Sequence, residues 1–354
     1  MVKKSRPVAI WLFIGVFLIL LMVTAGGAVR LTDSGLSIVK WNPVTGIIPP
    51  LSQKEWEKEF NDYKKIPEFQ VQNEDFNLNA FKKIYLWEYF HRLIARLIGF
   101  VFLIPFFFFW VKGYFKEKKL LLKVSLIFVF ALFQAWLGWF MVKSGFSDRT
   151  DVSHYRLAIH LIFATLLASY VLWLALSLTF VKKETSIHHG LTKSTIISTI
   201  IILIQLSYGA FTAGLNAGYY YPQYPKMGGE WIPQLGIQAL KDKGLQSLIN
   251  DPSLVHFIHR WFAIIVLVWI VIFFFRFIKK LYDSELIFLF RMALTIVIVQ
   301  VILGIFTVIT GINFIIALLH QVNGILLFLN LIAILYFVSK SGMKKANAPT
   351  HLDS

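Results

Sequence analysis

Glu88, His91 and Arg92 stand together at the start of a long apolar stretch, and they are the first residues in this chain whose types and spacing could do chemistry. Residues three apart on a helix share a face, with Cβ atoms roughly 5–6 Å apart, so Glu88 and His91 would project into the same space. Ionisable groups in an apolar segment are costly and usually mark function. The alternatives are a histidine that only hydrogen-bonds to a neighbouring helix, and a helix-entry acid favoured by the helix dipole.

A second copy of the pattern lies in the latter half of the chain. His259-Arg260 repeats His91-Arg92, and His320 stands where the first half has His160. The surrounding segments also correspond, with residues 134–138 echoed by 300–304, and Gly27-Ala28 resembling Gly209-Ala210. Such self-similarity indicates a duplicated unit.

These four histidines are predicted to lie in one layer. Each belongs to an apolar span that runs in the same direction, and at 1.5 Å per residue each sits about 8–10 Å below the outer surface. Two facing imidazoles in a helical bundle suit the iron of a haem. A closed zinc site would normally need four protein ligands, so zinc is the weaker alternative. We therefore predict that His91 with His160, and His259 with His320, form two metal-ligating pairs.

Composition places these residues in a membrane. The 354-residue chain has 57% hydrophobic and only 15% charged residues, against about 25% charged in soluble domains. The formal charge of +16 comes from basic clusters between apolar runs, which is typical of cytoplasmic loops and not of a nucleic-acid-binding surface. The chain has no cysteine, which excludes disulfides, zinc-thiolate sites and iron–sulfur clusters.

Eight apolar runs have the length of about 20 residues that is needed to cross a bilayer. They lie at 8–28, 86–111, 120–142, 154–180, 191–214, 254–277, 286–309 and 313–338. Basic residues precede the first run, follow every second run and occupy the tail, so both termini are predicted to be cytoplasmic: Lys3, Lys4, Arg6, Lys112, Lys116, Lys118, Lys119, Lys123, Lys182, Lys183, Lys193, Arg276, Lys279, Lys280, Lys344 and Lys345. The first run is interpreted as a retained anchor.

The predicted fold is an all-α integral membrane protein of two pseudo-symmetric four-helix bundles. The first bundle comprises residues 1–181 with a long outer connection at 29–85, and the second comprises 182–354 with a long outer connection at 215–253. The turn-rich, aromatic composition of the first connection favours a packed cap. An amphipathic piece at 52–65 either lies on the membrane surface or is an ordinary solvated helix.

The two halves differ at one informative position. Glu88 precedes His91 by three residues, whereas His256 precedes His259 by three. A carboxylate beside only one site predicts proton-coupled chemistry in the first half, and a prosthetic group or electron transfer in the second. His154, together with His256, is a weaker candidate for a proton relay. His188, His189 and His351 fall in polar segments where solvated roles dominate.

Several residues near the histidines have two interpretations. Arg92 and Arg260 either hold haem propionates through charge-assisted contacts or extend to the outer interface. Aromatic side chains nearby either flank a porphyrin plane or are generic packing: Phe90, Phe163, Phe257 and Trp261.

Over nearly its whole length the sequence resembles the haem A synthase family, in the branch shared by proteobacteria and mitochondria. The motifs that carry the resemblance are GGAVRLTDSGLS at 26–37, WNPVTG at 41–46, PPL at 49–51, PEF at 67–69, EYFHR at 88–92, YRLAIH at 155–160, HR at 259–260 and LHQ at 319–321. Some relatives carry a cysteine pair in the first outer loop, which this chain lacks, and His154 and His256 stand where relatives are expected to have other residues.

The resemblance implies an oxidoreductase of the bacterial inner membrane. It would oxidise the C8 methyl group of haem O to a formyl group by successive hydroxylations, with water as oxygen source and an external electron acceptor, giving haem A for cytochrome oxidase. His91 and His160 would ligate haem O, Glu88 would be the essential acid, and His259 and His320 would hold haem b. Haem O synthase and cytochrome oxidase assembly factors would be partners, and a homo-oligomer is compatible with the resemblance.

Two other functions use the same features. A di-haem b electron-transfer cytochrome would need the same four ligands but no substrate chemistry. A transporter would also be built from duplicated bundles, but it predicts broken helices near the bilayer midplane, whereas the ionisable residues here cluster near one face.

Overall fold

The computed structural model describes residues 2–41, 46–146, 149–180 and 190–340. Parts of several sequence predictions lie outside these residues: 42–45 of the WNPVTG motif, the basic residues Lys182, Lys183, Lys344 and Lys345, and the histidines His188, His189 and His351.

The described chain forms twelve α-helices. Their bounds are α1 Val2–Leu31, α2 Gln53–Tyr63, α3 Pro67–Gln72, α4 Leu78–Val111, α5 Lys118–Val142, α6 His154–Thr179, α7 Leu191–Gly214, α8 Gln234–Lys243, α9 Ser247–Asn250, α10 Pro252–Phe277, α11 Ser284–Ile309 and α12 Phe314–Lys340. Eight of them are long and apolar enough to cross a membrane, namely α1, α4, α5, α6, α7, α10, α11 and α12. The prediction of an all-α, eight-span membrane protein is confirmed.

The main departure from the predicted spans is the start of α4. The apolar run begins at 86, but the helix begins at Leu78 because the Asn77 side chain caps it by accepting a hydrogen bond from the backbone N–H of Ala80 at 3.0 Å. The two additional turns carry Phe81 and Tyr85, which pack under the connection between α1 and α4. They extend α4 beyond the span that hydropathy detects.

The membrane-spanning helices pack mainly within each half of the chain. In the first half α1 packs against α4 and α6, and α5 against α6; in the second half α7 packs against α10 and α12, and α11 against both α10 and α12. Two apolar cores result, one centred on Leu12, Val124 and Val171, the other on Ile270, Phe290 and Leu331. The halves meet where α6 packs against α7 and α12, and where α1 packs against α12.

The connections 32–77 and 215–251 emerge at one end of the helices, which we call the loop face. At this face Arg30, near the end of α1, donates hydrogen bonds to the carbonyl of Ala213 at 2.8 Å and to the Asn216 side chain at 2.6 Å. These bonds tie the loop-face ends of α1 and α7 together.

The first connection is a packed cap, as its composition predicts. α2 coincides with the amphipathic piece and begins with a capping box in which Ser52 and Glu55 bond each other's backbone N–H groups. Its buried residues Phe60 and Tyr63 stack on Phe81 of α4, with ring centroids 5.1 and 5.2 Å apart. The apolar side of α2 is therefore covered by the protein itself.

The cap also buries an acid, Glu68, in α3. Its side chain is 3% exposed, and one carboxyl oxygen accepts a hydrogen bond from the Tyr63 hydroxyl at 2.9 Å. Burial raises the pKa of Glu68 from its ordinary value of 4.5 to about 8, and the Tyr63 bond only partly opposes this. Near neutral pH the carboxyl of Glu68 therefore keeps its proton in the folded cap.

This shift predicts a pH-dependent stability. Between pH 4.5 and about 8 the unfolded chain releases the Glu68 proton while the folded protein retains it, so stability falls as pH rises, by up to about 1.4 kcal/mol per pH unit. We expect Glu68→Gln to match the wild type in thermal unfolding at pH 4.5 and to melt at a higher temperature at pH 8.5. Equal melting temperatures at both pH values would show that Glu68 does not titrate in this way.

Candidate active site

Each of the four predicted histidines packs against a glycine on the preceding span of its half. A Cβ atom added to Gly138, Gly209 or Gly304 would lie 3.0, 3.2 or 2.9 Å from Cε1 of the ring of His160, His259 or His320, respectively. A Cβ on Gly26 would lie 3.2 Å from Nε2 of His91. The glycines therefore leave room for imidazole rings between the helices.

The second pair is arranged face to edge. The ring centroids of His259 on α10 and His320 on α12 are 6.3 Å apart, with the ring planes at 88°. Two imidazoles that each bind one metal through a nitrogen at about 2 Å have ring centres roughly 6 Å apart. This spacing is compatible with a shared metal ion.

The histidines of the first pair lie on α4 and α6, which correspond to α10 and α12 of the second half. His91 lies on α4 and His160 on α6, and each ring packs on a glycine of the preceding span, Gly26 and Gly138 respectively. The sequence alignment of the halves needs one adjustment here. Gly26, and not Gly27, occupies the position of Gly209, while Gly27 instead faces the Gln321 side chain.

Three glutamines that sequence analysis gave no role contact the same histidines. The side-chain nitrogen of Gln134 is 3.2 Å from Nδ1 of His160, and that of Gln205 is 3.1 Å from Nδ1 of His259. The nitrogen of Gln300 is 3.4 Å from Nε2 of His320. Each glutamine precedes the ring-packing glycine by four residues, so both share one helix face. The thrice-repeated spacing Gln-x-x-x-Gly is the sequence signal that could have revealed them.

Glu88 is enclosed by the cap and is 3% exposed. One carboxyl oxygen accepts hydrogen bonds from Nε and Nη2 of Arg92 at 2.9 and 2.5 Å. The other accepts from the Ser37 hydroxyl and the backbone N–H of Ile38, both at 2.8 Å. Four charge-assisted bonds hold the carboxylate next to the His91 turn of α4.

The two arginines bind the connections above them. Arg92 also donates to the carbonyls of Ile38 at 3.0 Å and Lys40 at 3.2 Å. Arg260 donates to the carbonyls of Tyr221 at 2.5 Å and Gln223 at 2.7 Å, and its Nε bonds Nε2 of His256 at 2.9 Å. His256 thus takes the place of Glu88 as the partner of the arginine four residues later.

His154 lies where the two halves meet. It is the first residue of α6, is 7% exposed, and packs against Phe211 of α7 with ring centroids 5.9 Å apart. A Cβ on Gly214 would come within 2.7 Å of the His154 side chain. The surroundings of His154 indicate a packing role between α6 and α7.

Comparison with known proteins decides the family. The model of the COX15-CtaA family, described as cytochrome oxidase assembly protein, matches residues 9–332. A haem A synthase of Flavobacterium johnsoniae is 38% identical over 347 residues, which cover 96% of this chain and 100% of the relative. The chain belongs to the COX15-CtaA family.

Other COX15-CtaA relatives match to a similar extent. The haem A synthases of Flavobacterium psychrophilum and Pelagibacter ubique are each 39% identical, over 327 and 328 residues that cover 92% of this chain. The matched residues are 96% and 95% of those relatives. The resemblance seen in the motifs is therefore confirmed along the chain.

The donor set of this COX15-CtaA protein suits a haem better than a closed metal site. Within residues 2–41, 46–146, 149–180 and 190–340, no group of three or more His, Asp or Glu side chains converges, whereas a structural zinc ion takes four ligands. Paired imidazoles in a helical bundle match the axial positions of an iron porphyrin. The side-chain nitrogens of Gln134 and Gln205 also donate to the main-chain carbonyls of His160 and His259, at 3.1 and 3.0 Å, which fixes the helix turns that carry the two rings.

Proposed function

We propose that the protein is a haem A synthase, an oxidoreductase that converts the C8 methyl group of haem O to the formyl group of haem A. The proposal rests on one observation. Each half has a histidine pair, but the residue three positions before the first histidine is a buried glutamate, Glu88, in the first half and a histidine, His256, in the second. The names of the relatives support the same assignment.

In this proposal each pair holds one haem. His91 and His160 ligate the substrate haem O, and His259 and His320 ligate a resident haem b, which supplies one-electron redox chemistry when bound. The 6.3 Å separation of the His259 and His320 rings supports the second assignment. The packing of His91 on Gly26 and of His160 on Gly138, which matches the packing of His259 and His320 on their glycines, supports the first.

In the reaction that we propose, water supplies the oxygen atom of the formyl group and an external acceptor takes up the electrons. Each hydroxylation removes two electrons and one proton from the carbon, and the water molecule that attacks the carbon releases a second proton as it becomes the hydroxyl group. The geminal diol formed after the second hydroxylation loses water to give the aldehyde. In sum, one methyl group and one water yield one formyl group, four protons and four electrons, and the electrons leave through the haem b half to an acceptor outside the chain.

We propose that Glu88 takes up protons released at the methyl carbon. Its carboxylate is held by Arg92, Ser37 and the backbone of Ile38. The Ser37 oxygen is also 2.9 Å from the carbonyl of Ser34. A hydroxyl has one proton and two lone pairs, so rotating the Ser37 hydroxyl towards Ser34 leaves a lone pair that accepts a proton carried by Glu88. The site therefore accommodates both protonation states of Glu88.

Arg92 and Arg260 are proposed to contact haem propionates through their remaining donors. A guanidinium has five N–H groups. The described bonds of Arg92 occupy four of them, and those of Arg260 occupy three. Lys40 and Arg96 line the same cavity of about 310 Å³ as Arg92, which supplies further positive charge for an anionic group.

The remaining assignments follow the sequence patterns. We propose that the halves 1–181 and 182–354 are duplicated four-helix units, that both termini are cytoplasmic, and that the loop face lies on the outer side of a bacterial inner membrane, in contact with lipid. Haem O synthase would supply the substrate and cytochrome oxidase assembly factors would receive the product. Self-association is a further proposal, and no role with nucleic acid is proposed.

Co-expression with a haem O synthase, followed by chromatography of the extracted pigments, tests the function. We expect haem O or haem A together with haem b. Haem b alone, filling both sites, would instead identify a di-haem b electron-transfer cytochrome.

The packing of His320 on Gly304 predicts a second result. Gly304→Val would push a side chain into the ring of His320, because even a Cβ would lie 2.9 Å from it. We expect the haem b content per chain to fall several-fold, measured by pyridine haemochrome. Gly99→Val in α4 is the matched control, since a Cβ on Gly99 has no neighbour within 4 Å. Equal haem b content in both variants would contradict the placement of haem b beside α11.

A further inference from the structure

The four histidines are not supported equally. His160, His259 and His320 each have a glutamine side chain against a ring nitrogen, from Gln134, Gln205 and Gln300. At the corresponding place for His91, four residues before Gly26, the chain has Met22. Among the described residues, no side-chain amide bonds the His91 ring.

An amide beside a metal-bound imidazole has a definite effect. Side chains that bond a ligating histidine fix the orientation of its ring, and losing one typically costs about 10–100-fold in metal affinity. The side-chain nitrogens of Gln134 and Gln205 lie 3.2 and 3.1 Å from Nδ1 of His160 and His259. The same nitrogens donate to the main-chain carbonyls of these histidines at 3.1 and 3.0 Å, so each glutamine fixes both the ring and the helix turn that carries it.

The ring and the helix of His91 also differ from the others. The glycine of α1 meets the Nε2 edge of the His91 ring, whereas the other three glycines meet Cε1. Among the membrane-spanning helices, α4 packs extensively only along α1 in the described residues, whereas α10 packs along both α7 and α11. A helix with fewer packed neighbours needs less free energy to move locally, so α4 is expected to move more easily than α10.

We propose that His91 is the exchangeable ligand of the substrate site, and that an apolar residue at position 22 keeps it so. The inference rests on the proposed function, because a substrate haem must leave after each reaction whereas a resident haem stays. Release of the substrate haem would begin with the bond between the iron and the His91 nitrogen, and the bond to His160, which Gln134 holds in place, would break second. Gln134, Gln205 and Gln300 are positioning residues for the other three histidines.

The test compares the rates at which haem leaves the purified, haem-loaded protein for an excess of apomyoglobin. Met22→Gln places an amide beside His91, and we expect loss of haem from the first site to slow by about 10-fold. Met22→Leu is the control of similar size without an amide, and it should release haem at the wild-type rate. An equal rate for Met22→Gln and Met22→Leu would overturn the proposal.

A second pair of variants covers the case in which Met22→Gln does not fold. Gln205→Met should speed the loss of haem b about 10-fold and change the low-spin electron paramagnetic resonance spectrum of that site, and Gln134→Met should do the same for the first site. Unchanged rates and spectra in both variants would remove the glutamines from the account. Pigment identity in the wild type tests the proposed function separately, so the two failures are distinguishable.

Discussion

Replacing Glu88 by Gln is expected to stop aldehyde formation while both haems stay bound. Gln keeps the shape of the side chain and still accepts a hydrogen bond from Arg92, but it cannot take up a proton from the reacting carbon. Loss of a positioned base costs about 10²–10⁴-fold in rate. Chromatography of extracted pigments should show haem O or a hydroxylated intermediate in place of haem A.

Glu68→Gln is the matched control for this experiment. Glu68 is another buried glutamate, 3% exposed like Glu88, but it bonds Tyr63 within the cap and not the arginine of the site. We expect haem A production at the wild-type level. Normal haem A production in Glu88→Gln would remove Glu88 from the chemistry and leave it as an anchor for Arg92 and the cap.

Replacing His259 by Ala is expected to remove haem b selectively. The substitution takes away one of the two rings that lie 6.3 Å apart and leaves His320 without a partner. The iron would lose one of its two axial nitrogens. We expect the haem content to fall from about two per chain to about one, with haem b missing from the extract.

The mirror variant His91→Ala supplies the comparison. It should retain haem b and lose haem O or haem A, because the two pairs lie in separate halves of the chain. If both substitutions remove the same pigment, the assignment of one haem type to each pair is wrong.

Much of the fold was predictable because membrane spans are a local property of the sequence. Six of the eight spans begin within two residues of their predicted apolar runs. The helix α1 begins six residues before its run, in the flanking basic segment, and α4 begins eight residues before its run. The early start of α4 was not predictable from hydropathy, since its first turns are stabilised by packing against Phe60 and Tyr63 of the cap.

The candidate site was predictable in its residue types but not in its partners. Histidines in apolar spans are conspicuous, and their spacing places them in one layer. Arg92 and Arg260 bond Glu88 and His256 four residues earlier, which a helical pattern can reveal, but they also bond backbone carbonyls of connections distant in sequence, which no local pattern reveals. The glutamines were visible within apolar spans, but only the packing of neighbouring helices shows which ring each one contacts.

Cryo-electron microscopy of the protein purified with its pigments tests the central claim most directly. The account predicts two porphyrins near the loop face, one with iron between His91 and His160 and the other with iron between His259 and His320. Density for iron away from these rings, or rings within a pair that bind no common metal, would contradict it.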